Sequence, residues 1–170
     1  MSRSGPLHMV LMGVAGCGKS SVGAELSART GLPYLDGDDF HDPLNVAKMR
    51  AGTALDDADR WPWLERCGRA LADHPRGLIL GCSALRRSYR NRLRSSSGLR
   101  ELLFVHLAGS EALLHRRMAQ RTGHYMPLAL LQSQLDTLEP PAADERAVTV
   151  DIDRPVPEIA AAILARAGSR

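Results

Sequence analysis

An α/β fold on a parallel sheet is what the sequence predicts, and three observations carry it. Short apolar runs alternate with segments patterned at helical spacing along nearly the whole chain, as parallel strands with crossover helices require. The first apolar run, His8-Met9-Val10-Leu11-Met12, leads directly into Gly13-Val14-Ala15-Gly16-Cys17-Gly18-Lys19-Ser20, and a helical pattern follows. With 170 residues, 44% of them hydrophobic and 24% charged, the chain has the size and composition of one domain with its own core.

The glycine-rich segment reads as a phosphate-binding P-loop. Its glycines let the backbone fold into a concave nest of N–H groups, and the helix behind it adds the positive end of its dipole. Gly13, Val14, Ala15, Gly16, Cys17, Gly18, Lys19, Ser20 and Ser21 are therefore expected to hold a nucleoside triphosphate. Lys19 is placed to reach the β- and γ-phosphates, and the Ser20 hydroxyl to bind the accompanying magnesium ion.

After the loop, Val22, Leu26 and Ala28 mark the buried side of a helix from Lys19 to Thr30-Gly31, where glycine suits the C-terminal cap. Leu32–Leu35 is a second strand, which delivers Asp36-Gly37-Asp38-Asp39 to the carboxyl edge of the sheet, where ligands of α/β proteins bind. The first strand delivers the P-loop to the same edge. A helix over Pro43–Ala51 is broken by Gly52-Thr53, and another runs from Trp61 to Leu71 with Pro62 in its first turn. Gly77–Cys82 is a third strand, apolar as one covered on both faces would be, and Ser83 ends it.

Arg86–Leu93 predicts an arginine-rich helix, Ser95-Ser96-Ser97-Gly98 a loop and Leu102–Leu107 a fourth strand. Ser110 caps a helix that runs to about Arg121. Thr122–Pro127 interrupts the helical pattern and Leu128–Leu138 resumes it, two helices around a glycine-containing, arginine-flanked loop that suit a mobile lid. Ala147–Asp151 is a fifth strand and Val156–Arg166 a closing helix. One domain is expected over residues 1–170, with a polar tail at 1–6, acceptor-binding helices at about 43–74 and a lid at about 117–138.

Composition excludes several classes. The net charge of +3 comes from basic residues scattered among 19 acidic ones, without the long basic run of a nucleic-acid binder. Three cysteines, Cys17, Cys67 and Cys82, lack metal-ligand spacing and suit reduced thiols in a cytoplasm. No apolar run has the length of a signal-peptide core or a membrane span. The Asn-Lys-x-Asp motif of a GTPase is missing, and a motor ATPase would need more chain. The acidic cluster after the second strand favours a small-molecule kinase over a plain nucleotide-binding module.

Six separate stretches, in one order, resemble the gluconokinase (gluconate kinase) family. They are Val10–Ser20, Leu35–His41, Leu55–Leu64, Cys82–Arg90, Arg121–Tyr125 and Gln134–Pro140, followed by Asp144-Glu145. The resemblance covers about Val10 to Asp153. Cys17 stands where the family often has serine, Arg86 where lysine is common and Leu135 where an aromatic is usual.

That resemblance implies a shikimate-kinase-like P-loop kinase fold, three layers around a five-stranded parallel sheet, and the use of ATP and Mg2+ to phosphorylate gluconate in a homodimer. By it, Asp36 supports the magnesium, and Asp38 accepts the proton of the acceptor hydroxyl. Lys19, Asp38 and Arg121 are the implied catalytic residues. Arg117 and Arg121 contact the triphosphate. Asp38, His41, Arg60, Ser83, Arg86, Arg90, His124 and Gln134 hold the sugar acid. Arg60 has the planar fork that grips a carboxylate. Shikimate or another small polyol is the competing acceptor.

Overall fold

The structure, a computed structural model, describes residues 5–120 and 128–169. Among them the chain forms strands β1 (Leu7–Met12), β2 (Tyr34–Asp36), β3 (Gly77–Gly81), β4 (Leu103–Ala108) and β5 (Ala147–Asp151). The helices are α1 (Lys19–Thr30), α2 (Pro43–Arg50), α3 (Asp57–Ala72), α4 (Arg87–Ser97), α5 (Glu111–Gln120), α6 (Leu128–Thr137) and α7 (Val156–Gly168), with a 3-10 turn at Gly37–Phe40. The five strands form one sheet in the order β2-β3-β1-β4-β5, every neighbouring pair parallel. Crossovers between parallel strands are right-handed, so α1, leading outward from β1 to β2, and α3, leading back to β3, lie on opposite faces. α7 packs with α1 and α4 with α3, which gives the three layers. No helix among the described residues is long and apolar enough to cross a membrane.

The core is the sheet and the helix faces against it. Met9 to Met12, Leu78 to Leu80, Phe104 and Val105 are wholly buried, as central strands covered on both faces must be. At the edge, β5 alternates, with Val148 and Val150 inside and Thr149 and Asp151 outside. Register sets the functional edge. Leu11 lies opposite Gly81, and Gly81 opposite Asp36, so β1, β3 and β2 end at one level. There Gly13 N donates to Ser83 O at 3.1 Å and Cys82 N to Leu11 O at 3.0 Å, tying the start of the P-loop to the end of β3.

Several expectations shift. α3 begins at Asp57, a turn before Trp61, because Asp56 and Asp59 close a reciprocal capping box ahead of it. Pro62 therefore sits inside the helix, one N–H short, rather than in its first turn. The serine stretch read as a loop continues α4 to Ser97. Ser95 and Ser96 hydroxyls donate back to Arg92 O, and the left-handed Gly98 supplies the stop. On α1, Ala28 is exposed and Gly23 is buried instead, because a side chain at 23 would run into the Tyr34 ring.

Arg90 is a correction. It is 1% exposed and lines neither the cavity described below nor any other surface, since its guanidinium is spent inside the core. Nε and Nη2 donate to the two Glu145 carboxylate oxygens at 2.7 and 3.0 Å, and Nη1 to Ala84 O at 2.8 Å. Ala84 is the one non-glycine residue with positive φ among the described residues, at 46°, a conformation costing roughly 1–2 kcal/mol. Arg90 thus holds the turn behind Ser83, and each of its guanidinium nitrogens is already bonded within the protein. Burial by itself would raise the Glu145 pKa. Hydrogen bonds from Arg90 and Ala142 N, with the Arg90 charge, outweigh it and hold the group near 2 instead of 4.5.

Glu145→Ala leaves Arg90 buried and unpaired, so it should cost about 3–5 kcal/mol in urea unfolding at neutral pH. In the parent protein the pair's contribution is complete above the ordinary carboxylate range and disappears as pH falls toward 2. A loss under about 1 kcal/mol would show that the pair does not support the fold.

Candidate active site

A cavity of about 440 Å³ opens at the edge where β1, β2 and β3 end. Ala15, Gly16, Gly18, Lys19, Ser20 and Ser21 of the P-loop line it. So do Asp36 and Asp38 after β2, His41 and Arg60 from the following segment, Ser83 after β3 and Gln134 of α6. Segments far apart in sequence thus share one concave site.

The loop is preorganised by its own bonds. Gly18 is the left-handed N-cap of α1, with φ 97°. Lys19 Nζ donates to Gly13 O at 2.9 Å and to Val14 O at 3.3 Å, and lies 3.7 Å from Cys17 Sγ. Val14 and Cys17 are buried, so what they offer a phosphate is backbone. Gln134, expected at the sugar acid, lines the cavity and also reaches the loop, its Oε1 accepting from Ala15 N at 2.7 Å. Arg117 stands on the other side of the loop. It lines a hollow of about 310 Å³ with Gly16, Gly18, Val156 and Ile159, and its Nη2 donates to Ile152 O at 2.7 Å.

Both carboxylates reach the main cavity. Asp36 Oδ1 also accepts from Asp38 N at 2.9 Å, capping the 3-10 turn, so the turn chemistry and the site use one residue. The Asp38 side chain is 72% exposed within the cavity mouth, yet enough protein lies around it to cost its carboxylate some hydration. That desolvation, then the Asp36 charge, raises its pKa above the ordinary 3.8 against the pull of Lys19. Tyr34, which the sequence reading did not single out, lies with its ring over Gly23 and its hydroxyl beside Gly81 and Ser20. Burial pushes its pKa up to about 12, so it remains a neutral phenol.

At the far wall, Arg60 is 15% exposed and its Nη1 donates to Tyr89 Oη at 2.8 Å, while Tyr89 Oη donates to Asp57. Trp63 is buried with Nε1 bonded to Gly37 O at 2.7 Å, and its ring stacks on His41 with centroids 4.1 Å apart. Burial, then the charge of Arg66, lowers the His41 pKa to about 4, so the ring is neutral at physiological pH. Arg86, the cap residue of α4, is exposed and stands 6.0 Å from the Tyr89 ring centre, outside the residues that line the cavity. Arg121, His124 and the loop Thr122–Pro127 lie outside the described residues.

The chain matches the family described as AAA domain over residues 9–141. It is 48% identical to a gluconokinase from Sinorhizobium meliloti 1021 whose solved structure superposes with a TM-score of 0.88, covering 98% of this chain and 94% of that one. It is 45% identical to a gluconokinase of Gluconobacter oxydans (strain 621H) over 148 residues, 85% of this chain and 82% of the relative. The chain belongs to the gluconokinase family. A shikimate kinase from Aquifex aeolicus, 17% identical with a TM-score of 0.61 over 96% of this chain and 97% of that one, shares the fold alone. Gluconokinase membership makes this an ATP-using P-loop kinase, consistent with a P-loop that faces paired carboxylates.

Lys19 Nζ bonds to atoms of the P-loop itself, so Lys19→Ala should keep the circular dichroism spectrum and lower ATP turnover roughly a hundredfold or more. Unchanged turnover would remove Lys19 from the mechanism.

Proposed function

We propose that this protein transfers the γ-phosphoryl group of ATP to the 6-hydroxyl of D-gluconate, giving ADP and 6-phospho-D-gluconate. The observation that carries the reading is the single cavity in which the P-loop, Asp38 and Arg60 meet. In support, the S. meliloti and G. oxydans relatives are gluconokinases.

Phosphoryl transfer asks the protein mainly for positioning and charge neutralisation. Lys19 and the loop N–H groups hold the β- and γ-phosphates. Arg117 and Arg121 add positive charge on the nucleotide side, and the apolar Val156 and Ile159 beside Arg117 suit the base. Ser20 and Asp36 are hard oxygen donors on one cavity and fit magnesium, which keeps phosphate and water among its ligands. The ion, when bound, neutralises charge on the phosphates. Asp38 takes the proton of the attacking hydroxyl, a task suited by a carboxylate pKa moved upward. Arg60 spends Nη1 on Tyr89, and the rest of its fork grips the gluconate carboxylate. His41, Ser83 and His124 bind hydroxyls, while Gln134 steadies the P-loop from α6. In this reading residues 43–74 hold the acceptor, 117–138 form the lid, and the enzyme works in the cytoplasm as a homodimer.

A coupled ADP-release assay with gluconate, shikimate or no acceptor tests the assignment. Gluconate alone should stimulate turnover. Asp38→Asn should lower it roughly a hundredfold or more while ATP binding survives. Because the deprotonated base is the active form, kcat/KM for gluconate should fall as pH drops, with a midpoint above 3.8. Stimulation by shikimate would overturn the substrate, and a fully active Asp38→Asn the role of the carboxylate.

A further inference from the structure

Asn45 stands outside the cavity wall, yet it is 2% exposed and its side-chain amide reaches His41. It sits in the first turn of α2, where its backbone N–H donates to the capping Asp42 Oδ1 at 2.8 Å. Its side-chain Nδ2 lies 2.9 Å from Asp59 O and 3.2 Å from His41 Nδ1. A backbone carbonyl only accepts, so the end of the amide that faces Asp59 O is the NH2 group. An NH2 group only donates. His41 Nδ1 must therefore be the acceptor, which leaves the ring proton on Nε2.

Both partners of the amide are held in place. Lys48 Nζ donates to the two Asp59 carboxylate oxygens at 2.9 Å each, and Asp59 closes the capping box with Asp56. The His41 ring lies nearly parallel to Trp63, at 17°, and Trp63 is pinned to Gly37 O. Nε2 then lies 4.0 Å from Asp38 Oδ1. That gap is too long for a direct hydrogen bond. One oxygen about 2.8 Å from each atom would fit it, with an angle of about 90° at the oxygen.

We propose that Asn45 is a positioning residue which fixes His41 in the Nε2–H tautomer, so that His41 and Asp38 together read one acceptor hydroxyl. The inference rests on the kinase reading above and adds how the site recognises an alcohol. The hydroxyl oxygen accepts from Nε2–H and gives its own proton to Asp38, and its second lone pair stays available to attack phosphorus. A carbonyl or ether oxygen has no proton for Asp38 and meets only half of the pair. The imidazolium form would drive an Nδ1–H against the Asn45 NH2. Asp38 and Asp42 favour that form, Arg60 and Arg66 oppose it, and burial opposes it most.

Long-range proton–nitrogen NMR of the 15N-labelled protein reads the tautomer, with His41 assigned by its loss in His41→Gln. Nδ1 should resonate as an unprotonated nitrogen and Nε2 as a protonated one, without titration from about pH 5 to 8. Asn45→Asp replaces the donor by an acceptor. It should move the proton to Nδ1, bring a His41 titration into that range and lower kcat/KM for gluconate about tenfold, with KM for ATP unchanged. A proton on Nδ1 in the parent protein would overturn the proposal. So would an Asn45→Asp variant with an unchanged tautomer or unchanged kcat/KM. If that variant fails to fold, the parent spectrum and the kcat/KM of His41→Ala decide, with the same tenfold loss expected. If gluconate does not stimulate the parent protein, the substrate reading falls while the spectrum still judges the tautomer.

Discussion

The site depends on one close contact, the seat of Gly37 on the end of β3. A Cβ at Gly37 would collide with the Gly81 carbonyl, and Cys67 and Cys82 close the space on either side. The Gly37 carbonyl accepts from Trp63 Nε1, a bond whose loss would leave a buried acceptor with only the weak Cys67 thiol as donor, at a cost of about 1–3 kcal/mol. This contact fixes Asp36 and Asp38 at the level where β1 releases the P-loop. The same tryptophan then supports the His41 ring, so the base and its neighbour share a foundation.

Charge is arranged around that seat in two kinds of surroundings. In the core, each guanidinium nitrogen of Arg90 has a partner and the pair with Glu145 serves geometry, holding the positive-φ Ala84 turn that sets Ser83. In the cavity, Lys19 and Arg60 both line the wall, while Asp38 stands between desolvation and an anionic neighbour that both disfavour its charge. A base in that state is poised to take a proton rather than locked into an ion pair. His41 and Tyr34 stay neutral beside it and add directional hydrogen-bonding groups without adding charge.

Much of this was legible in the sequence, for physical reasons. The continuous apolar runs of β1, β3 and β4 announce strands covered on both faces, and a glycine-rich loop between strand and helix has few other uses. Other features were not. Arg86 caps α4 and Arg90 lies in its first turns, and composition gives no hint that the first is exposed and the second buried, since the burial depends on Glu145 arriving from 55 residues away. Pro62 suggested a helix start, but the aspartate pair at 56 and 59 supplied a better cap one turn earlier. Asn45 carried a weak signal, a polar residue in the first turn after an aspartate cap. Its importance comes from Asp59, which only the fold brings to it.

The central claim is that Asp38 receives the proton of the gluconate 6-hydroxyl beside the P-loop. A crystal structure with gluconate and a non-hydrolysable ATP analogue tests it most directly. The account predicts the 6-hydroxyl oxygen within about 3 Å of an Asp38 oxygen and in line with the terminal phosphorus, with the gluconate carboxylate on Arg60. Gluconate bound the other way round, its carboxylate toward the P-loop and its 6-hydroxyl away from Asp38, would contradict it.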